Sequence, residues 1–203
     1  MNEVDVKVNS FKAWILASRP KTLSGAAVPV MIGTALAMRD ASFDIRIVPA
    51  VLCFLFAFLM QIDANFVNDY FDYVKGTDDE NRLGPKRACA QGWITEKAMR
   101  RGMALTTVLS CMVGLPLVVY GGWHMIVIGA ACVVFCFLYT TCLSYMGLGD
   151  VLVLLFFGFV PVCLTYYLDM PSGAPLFSQE VVWTSLACGL VLLSFFVSCN
   201  LII

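Results

Sequence analysis

Charged residues are scarce in this sequence: Asp, Glu, Lys and Arg make up only 13% of its 203 residues. Soluble domains carry about 25% charged residues, so the composition excludes an ordinary water-soluble domain. The chain also has a single histidine, His124, and no CxxC pair among its nine cysteines. A Cys/His metal site therefore has no support, and with a formal net charge of −1 we expect no nucleic-acid partner.

Long hydrophobic runs dominate what is present. Hydrophobic residues make up 60% of the chain, and several runs approach the ~20 residues that a helix needs to cross a bilayer. The polar–apolar alternation of a membrane β-barrel is missing. We therefore predict an all-α fold, a polytopic transmembrane bundle in a lipid bilayer, with about six helices. The predicted helices cover residues 22–38, 47–70, 102–121, 123–143, 150–168 and 181–203.

The basic residues are unevenly distributed and predict the orientation of the chain. Eleven of the 13 Lys and Arg residues lie in two segments, 1–21 and 71–101. Six spans place both segments on the same side of the membrane, and the positive-inside rule makes that side cytoplasmic. We therefore predict a multi-pass protein of the inner (plasma) membrane with a cytoplasmic N-terminus. The long polar segment 71–101 is the predicted active-site loop.

The two ends of the chain differ in character. Residues 8–20 (VNSFKAWILASRP) predict a short interfacial helix that Asn9 or Ser10 can cap, and not a cleavable signal peptide. The last residues (LLSFFVSCNLII) stop within an apolar run that has no charged flank. We therefore expect 1–203 to be a single membrane domain that is the N-terminal part of a longer chain.

Polar side chains form a stripe near the end of the second predicted span. At ~100° per residue, Asn65, Asn68, Asp69 and Asp72 fall within about 100° of arc, and Asp63 lies nearly opposite. Two carboxylates at this spacing suit Mg²⁺, which usually takes one or two protein carboxylates and completes its shell with phosphate oxygens. Acids at the membrane are functional candidates because they are costly to bury, although solvated acids at the membrane face remain an alternative.

Basic residues close to this stripe complete the candidate site. The loop sequence NRLGPKRACAQG contains three cations that can bind an anionic diphosphate, and the arginines can do so with two hydrogen bonds each. Lys21 and Arg19 can add positive charge from the start of the first span. The basic residues predicted to bind a diphosphate are Lys21, Arg82, Lys86 and Arg87, and the amides of Asn65 and Asn68 accompany them.

Four ordered stretches of the sequence resemble the UbiA superfamily of membrane prenyltransferases. NDYFDYVKGTD (68–78) is similar to the first aspartate-rich motif of that family, usually written NDxxDxxxD. The stretches 18–37, 82–92 and 145–162 are similar to its 1,4-dihydroxy-2-naphthoate branch, which acts in menaquinone synthesis. The similarity runs from about residue 14 to the end of the chain.

The resemblance implies a fold and a set of roles. The family fold has nine transmembrane helices around a cavity open to the bilayer, where two aspartate-rich motifs bind a prenyl diphosphate through Mg²⁺. Asp69 and Asp72 match catalytic, metal-binding positions of the first motif, Asn68 is its amide, and Lys86 and Arg87 match basic positions near the diphosphate.

Three features depart from the family pattern. Gly76 occupies the generic third acidic position, and Asp78 lies six residues after Asp72, the spacing of the naphthoate branch. We expect Asp78 to be the third metal ligand. Met146 replaces a basic residue that this branch often has before GLG. The second aspartate-rich motif is missing from the sequence.

The expected activity is transfer of a polyprenyl group from its diphosphate to an aromatic acceptor, 1,4-dihydroxy-2-naphthoate, with loss of CO₂ and diphosphate. The product would be a demethylmenaquinone. Other acceptors within the superfamily, such as 4-hydroxybenzoate, haem, chlorophyllide or a glycerol phosphate, are alternatives. A cation-coupled transporter is an alternative of another class, but it would be expected to place its acids near the bilayer midplane.

Overall fold

The computed structural model describes residues 6–76, 86–139, 149–171 and 178–201, with side chains described as far as residue 194. The regular secondary structure in these ranges is helical, without strands, and the all-α prediction is confirmed. The helices are α1 (Phe11–Ser18), α2 (Pro20–Asp40), α3 (Ile47–Lys75), α4 (Glu96–Gly114), α5 (Val118–Gly121), α6 (His124–Leu138), α7 (Gly149–Val153), α8 (Val160–Asp169) and α9 (Gln179–Leu201).

Four continuous helical segments are long and apolar enough to cross a membrane. They are Pro20–Asp40, Ile47–Lys75, Glu96–Gly121 and Gly149–Asp169, and two shorter apolar helices cover His124–Leu138 and Gln179–Ser194. All six predicted spans are therefore helical in the described parts of the chain. The predicted transmembrane helix bundle is confirmed, because successive long helices pack side by side.

The connection between α3 and α4 is shorter than the predicted loop 71–101. α3 continues to Lys75 and ends where Gly76 adopts a left-handed conformation with φ 65°, which glycine tolerates without steric cost. α4 begins at Glu96 because the Thr95 side chain accepts a hydrogen bond from the N–H of Ala98 at 3.3 Å, a helix N-cap. Asp72 thus lies in the last turn of a helix, and not in a loop.

The segment Gly149–Asp169 changes its helical form just before Pro161. A π-helical stretch, Leu154–Phe159, precedes α8. Pro161 has no N–H to donate to the Phe157 carbonyl, and the Cys188 thiol on α9 donates a weak bond to that carbonyl at 3.9 Å. A neighbouring helix thus contacts a backbone carbonyl close to the proline, where membrane helices commonly draw hydrogen bonds from their neighbours.

Helix α1 packs on the end of the bundle where α3 ends and α4 begins. The Ser10 side chain caps it, accepting a hydrogen bond from the N–H of Ala13 at 3.3 Å. Trp14 meets Phe66 of α3 edge to face, with ring centroids 5.4 Å apart, and lies directly against Gly102 of α4. Phe11 is 81% exposed, so the apolar residues of α1 divide between the protein and the exterior.

Two ion pairs and a hydrogen bond connect α2, α8 and α9 at the other end of the bundle. Arg39 of α2 pairs with Asp40 at 2.8 Å and with Glu180 at the start of α9. The Tyr166 hydroxyl of α8 donates to Asp40 at 2.9 Å. This cluster lies at the end of α2 opposite Lys21, so it stabilises the scaffold at the end remote from the candidate site.

Candidate active site

A cavity of about 1290 Å³ runs through the bundle. Residues of α3 line it from Cys53 to Asp72, which at 1.5 Å per residue corresponds to about 28 Å along the helix axis. Most of its wall is apolar, with contributions from α2, α4, α6, the π-helical stretch and α8. Such a cavity is long, hydrophobic and suited to a lipid chain.

One end of this cavity is polar and charged. Its position is fixed by the start of α2, the last turns of α3 and the turn after residue 85, which meet there. Five predicted site residues line this end together with three other polar side chains: Lys21, Asn65, Asn68, Asp72 and Arg87, with Arg19, Thr22 and Gln61. The structure therefore brings together both basic segments and the polar stripe of α3.

Asp72 and Arg87 form the charged pair at this end. The Arg87 Nη2 donates to Asp72 Oδ2, and the two side chains are only 17% exposed for Asp72 and 7% for Arg87. A hydrogen-bonded ion pair with little solvent exposure is stronger than an exposed one. The pair places one carboxylate and one guanidinium at the cavity wall, the two chemistries predicted for a metal-bound diphosphate.

Asp69 has a different environment from Asp72. It is 1% exposed, and its Oδ2 accepts a hydrogen bond from the N–H of Ala88 at 2.7 Å, while Oδ1 accepts one from the N–H of Cys89 at 2.9 Å. Unlike Asp72, it is not among the residues that line the cavity. Asp69 thus fixes the backbone of the turn that presents Arg87, and its predicted metal-binding role stays a prediction.

The Asn65 side chain contacts the junction of α1 and α2. Its Nδ2 donates to the Ser18 carbonyl at 2.9 Å and to Thr22 Oγ1 at 3.0 Å. Thr22 was missed by the sequence analysis. Thr22 lies one helical turn after Ser18, with Arg19 and Pro20 between them. This spacing is the local sequence signal that could have identified it.

The remaining predicted residues are Lys86, Asp78 and Arg82. Lys86 is exposed beside Arg87, whereas Asp78 and Arg82 lie outside the described residues. Within the described part of the chain, no three His, Cys, Asp or Glu side chains converge as a metal site would require. The predicted set of Asp69, Asp72 and Asp78 therefore stays a prediction.

Asp63 lies on the opposite side of α3 from the stripe, as expected. It is fully buried, and its carboxylate accepts hydrogen bonds from the hydroxyls of Thr106 and, at 2.8 Å, Thr107 on α4. This carboxylate joins α3 to α4 and does not line the cavity.

The fold and the cavity define a class: a multi-pass helical membrane protein whose internal cavity joins a lipid-like apolar wall to a charged end. The particular family follows from the sequence, since the sequence profile described as "UbiA prenyltransferase family" matches residues 26–201. The chain belongs to the UbiA prenyltransferase family, and the resemblance inferred from its motifs is confirmed.

Relatives with curated names indicate which members of the family this chain is similar to. The chain is 35% identical over 194 residues to 1,4-dihydroxy-2-naphthoate octaprenyltransferase of Escherichia coli, covering 91% of this chain and 61% of that protein. It is 35% identical to the protein of the same name in Haemophilus influenzae, covering 79% and 55%. A Drosophila melanogaster UbiA prenyltransferase domain-containing protein 1 homolog is 30% identical, covering 76% and 44%. The chain therefore spans about three fifths or less of each of these relatives.

A solved structure supports the fold. The chain matches digeranylgeranylglyceryl phosphate synthase with a TM-score of 0.63 at 20% identity, covering 90% of this chain and 59% of that one. At this identity the similarity supports the arrangement of helices alone. The family match by itself supports the prenyltransferase prediction over a cation-coupled transporter.

Proposed function

We propose that the full-length protein transfers a polyprenyl group from polyprenyl diphosphate to 1,4-dihydroxy-2-naphthoate, releasing diphosphate and CO₂ and forming a demethylmenaquinone in its reduced, quinol state. The observation that carries this proposal is the cavity, whose apolar wall ends at a cluster of cationic and acidic side chains. A prenyl diphosphate has the same two parts, a long apolar chain and a charged head. Relatives that bear the name of this activity support the choice of acceptor.

The basic residues at the polar end have the diphosphate as their proposed partner. Arg87 and Lys21 line the cavity there from two different elements. An arginine can donate two parallel hydrogen bonds to phosphate oxygens, and a lysine supplies a compact positive charge. As the bond between the prenyl C1 and the diphosphate oxygen breaks, negative charge develops on the leaving group. Fixed cations stabilise that charge in the transition state.

The residues at this end also fit the proposed cofactor, Mg²⁺. Asp72 supplies a carboxylate at the cavity wall and Asn68 an amide oxygen, which are hard donors of the kind that Mg²⁺ binds. Asp69 lies behind this wall and does not line the cavity. Each of its oxygens accepts one N–H, and a carboxylate has about four acceptor sites, so a metal-ligand role for it is a proposal that needs the metal to reach behind the wall. When bound, Mg²⁺ would neutralise charge on the diphosphate.

The apolar wall has a chemical role in addition to binding the prenyl chain. Loss of diphosphate leaves an allylic cation that water would capture, and an apolar wall limits the access of water. The electron-rich naphthoate ring then forms the new bond to the prenyl C1, and its carboxylate leaves as CO₂. The described residues thus hold the donor by both of its ends while the acceptor approaches.

The proposed location is the inner (plasma) membrane, with the N-terminus and the connection between α3 and α4 in the cytoplasm. Eleven of the 13 basic residues lie in segments 1–21 and 71–101, which favours this orientation. The polar end of the cavity then faces the cytoplasm, where a soluble acceptor and Mg²⁺ can reach it.

An acceptor panel tests the proposed function. Membranes that contain the full-length protein, in a host without its own enzyme of this type, are given a polyprenyl diphosphate and one acceptor at a time. We expect product with 1,4-dihydroxy-2-naphthoate and a product mass that shows loss of CO₂. Transfer to 4-hydroxybenzoate alone would show that the natural acceptor is 4-hydroxybenzoate and not the naphthoate. The absence of transfer to any aromatic acceptor would contradict the proposal.

A further inference from the structure

The sharp turn between α1 and α2 contains two cationic residues that line the cavity. Arg19 separates the helices and has a left-handed backbone, with φ 49° and ψ 70°. A residue before proline is disfavoured in the right-handed helical region, so α1 cannot simply continue into Pro20. The left-handed conformation is costly for a side chain other than glycine. Because Arg19 and Lys21 both line the cavity, the shape of this turn decides where their charges lie.

Asn65 holds the turn from both sides. Its Nδ2 donates to the Ser18 carbonyl at 2.9 Å and to Thr22 Oγ1 at 3.0 Å. The Ser18 carbonyl belongs to the last turn of α1, where carbonyls have no partner within the helix. A side-chain amide has two N–H donors, and Asn65 uses one on each side of Arg19. The side chain is 3% exposed, so water does not compete for these bonds.

Thr22 extends the same network to the Arg19 backbone. Its hydroxyl donates to the Arg19 carbonyl at 2.9 Å and accepts from Gln61 Nε2 at 3.4 Å. The amides of α3 therefore donate to Thr22, which in turn donates to Arg19. This chain of bonds attaches the turn to the helix that carries Asp72, two turns further along from Asn65.

We propose that Asn65 is a positioning residue, which holds the Arg19 turn through Ser18 and Thr22 so that Arg19 and Lys21 face the diphosphate head of the donor. The inference rests on the proposed function, because that function supplies the anion. It assigns Asn65 a different role from the direct diphosphate contact predicted from the sequence. Its amide nitrogen is committed to the turn, and a displacement of ~1 Å in a binding group can cost ~10²-fold in rate.

The test is the binding of a non-reactive prenyl thiodiphosphate to the purified full-length protein, measured for Asn65→Leu in two backgrounds. Leucine keeps the branching of the asparagine side chain, is somewhat larger, and has no donor. In the wild-type background we expect Asn65→Leu to weaken binding about tenfold, within the range of couplings between neighbours. With Arg19→Gln and Lys21→Gln already present, the same change should cost less than about twofold, because the groups that it positions are gone.

Variants of Thr22 and Ser24 provide the controls. Thr22→Val should weaken binding as Asn65→Leu does, and Thr22→Ser, which keeps the hydroxyl, should restore it. Ser24→Ala removes a hydroxyl that donates to the Lys21 carbonyl at 2.9 Å outside this network, and should leave binding unchanged. If Asn65→Leu does not fold, Thr22→Val is taken through the same two backgrounds.

Three outcomes would overturn the inference. Equal losses in both backgrounds would mean that Asn65 contacts the diphosphate itself. Unchanged binding in Asn65→Leu and Thr22→Val would mean that the turn needs no such support. A wild-type protein that does not bind the analogue would instead contradict the proposed function, and this inference with it.

Discussion

Replacing Asp69 with asparagine tests whether this residue holds the turn that carries Arg87. The change keeps the shape of the side chain and removes its charge and one acceptor oxygen. Asp69 is buried, and its two oxygens accept the N–H groups of Ala88 at 2.7 Å and Cys89 at 2.9 Å. An asparagine has one acceptor oxygen and an NH₂ group, so one of the two backbone N–H groups would face another donor.

The expected loss of stability in Asp69→Asn follows from that lost hydrogen bond. A buried donor left without a partner costs about 1–3 kcal/mol, and a hydrogen bond to a charged group is worth about 1.5–3 kcal/mol. The two costs describe partly the same lost contact and are not added. We therefore expect Asp69→Asn to lower the free energy of unfolding by about 2–3 kcal/mol. Asp72→Asn should cost less than Asp69→Asn, since the asparagine keeps one oxygen that can accept the hydrogen bond from Arg87.

Thermal unfolding of the full-length protein in detergent, followed by tryptophan fluorescence, measures the difference. The predicted order of midpoints is wild type, then Asp72→Asn, then Asp69→Asn. Prenyl transfer should also fall in Asp69→Asn, because the displaced turn moves Arg87 from the cavity wall. A midpoint for Asp69→Asn equal to that of the wild type would refute the role given to its two backbone contacts.

Further predictions concern the scaffold and its orientation. Asp63→Asn should change stability by less than about 1 kcal/mol, because the two threonine hydroxyls it meets can donate to α4 carbonyls instead; a larger loss of thermal stability would contradict this. Gly33→Ala should cost about 1–3 kcal/mol, because its Cβ would lie 2.7 Å from a backbone oxygen of α8, whereas Gly129→Ala meets nothing within 4 Å; equal unfolding midpoints for the two variants would contradict the close packing. In a cysteine-free background, Gln91→Cys should react with a membrane-impermeant thiol reagent only when the cytoplasmic face is accessible. Phe43→Cys should react with it from outside intact cells. The reverse pattern would contradict the orientation.

Hydropathy was sufficient to predict the spans, because a bilayer requires long apolar helices whatever their tertiary packing. The ends of the helices were harder to predict. α4 begins at Glu96, six residues before the predicted start at 102, because its first turn is polar and is set by the Thr95 cap. A hydropathy pattern does not register such a cap.

The helical projection of α3 separated Asp63 from the stripe correctly, since it depends only on the periodicity of a helix. It could not separate Asp69 from Asp72, which share one face. Their environments differ because the turn at residues 87–89 packs over Asp69, and that contact joins residues about 20 positions apart in sequence. The burial of Cys89 has the same origin, and it makes this cysteine a poor labelling site.

The central claim is that the polar end of the cavity binds the diphosphate of a prenyl donor, and turnover of Asp72→Asn tests it most directly. Transfer of a radiolabelled prenyl group to 1,4-dihydroxy-2-naphthoate is measured at a series of Mg²⁺ concentrations in membranes matched for protein level. We predict a loss of ~10²–10³ in rate for Asp72→Asn, the cost of removing one strong electrostatic contact to a transition state, and near wild-type turnover for Asp63→Asn. Full activity in Asp72→Asn, or equal losses in both variants, would contradict the account.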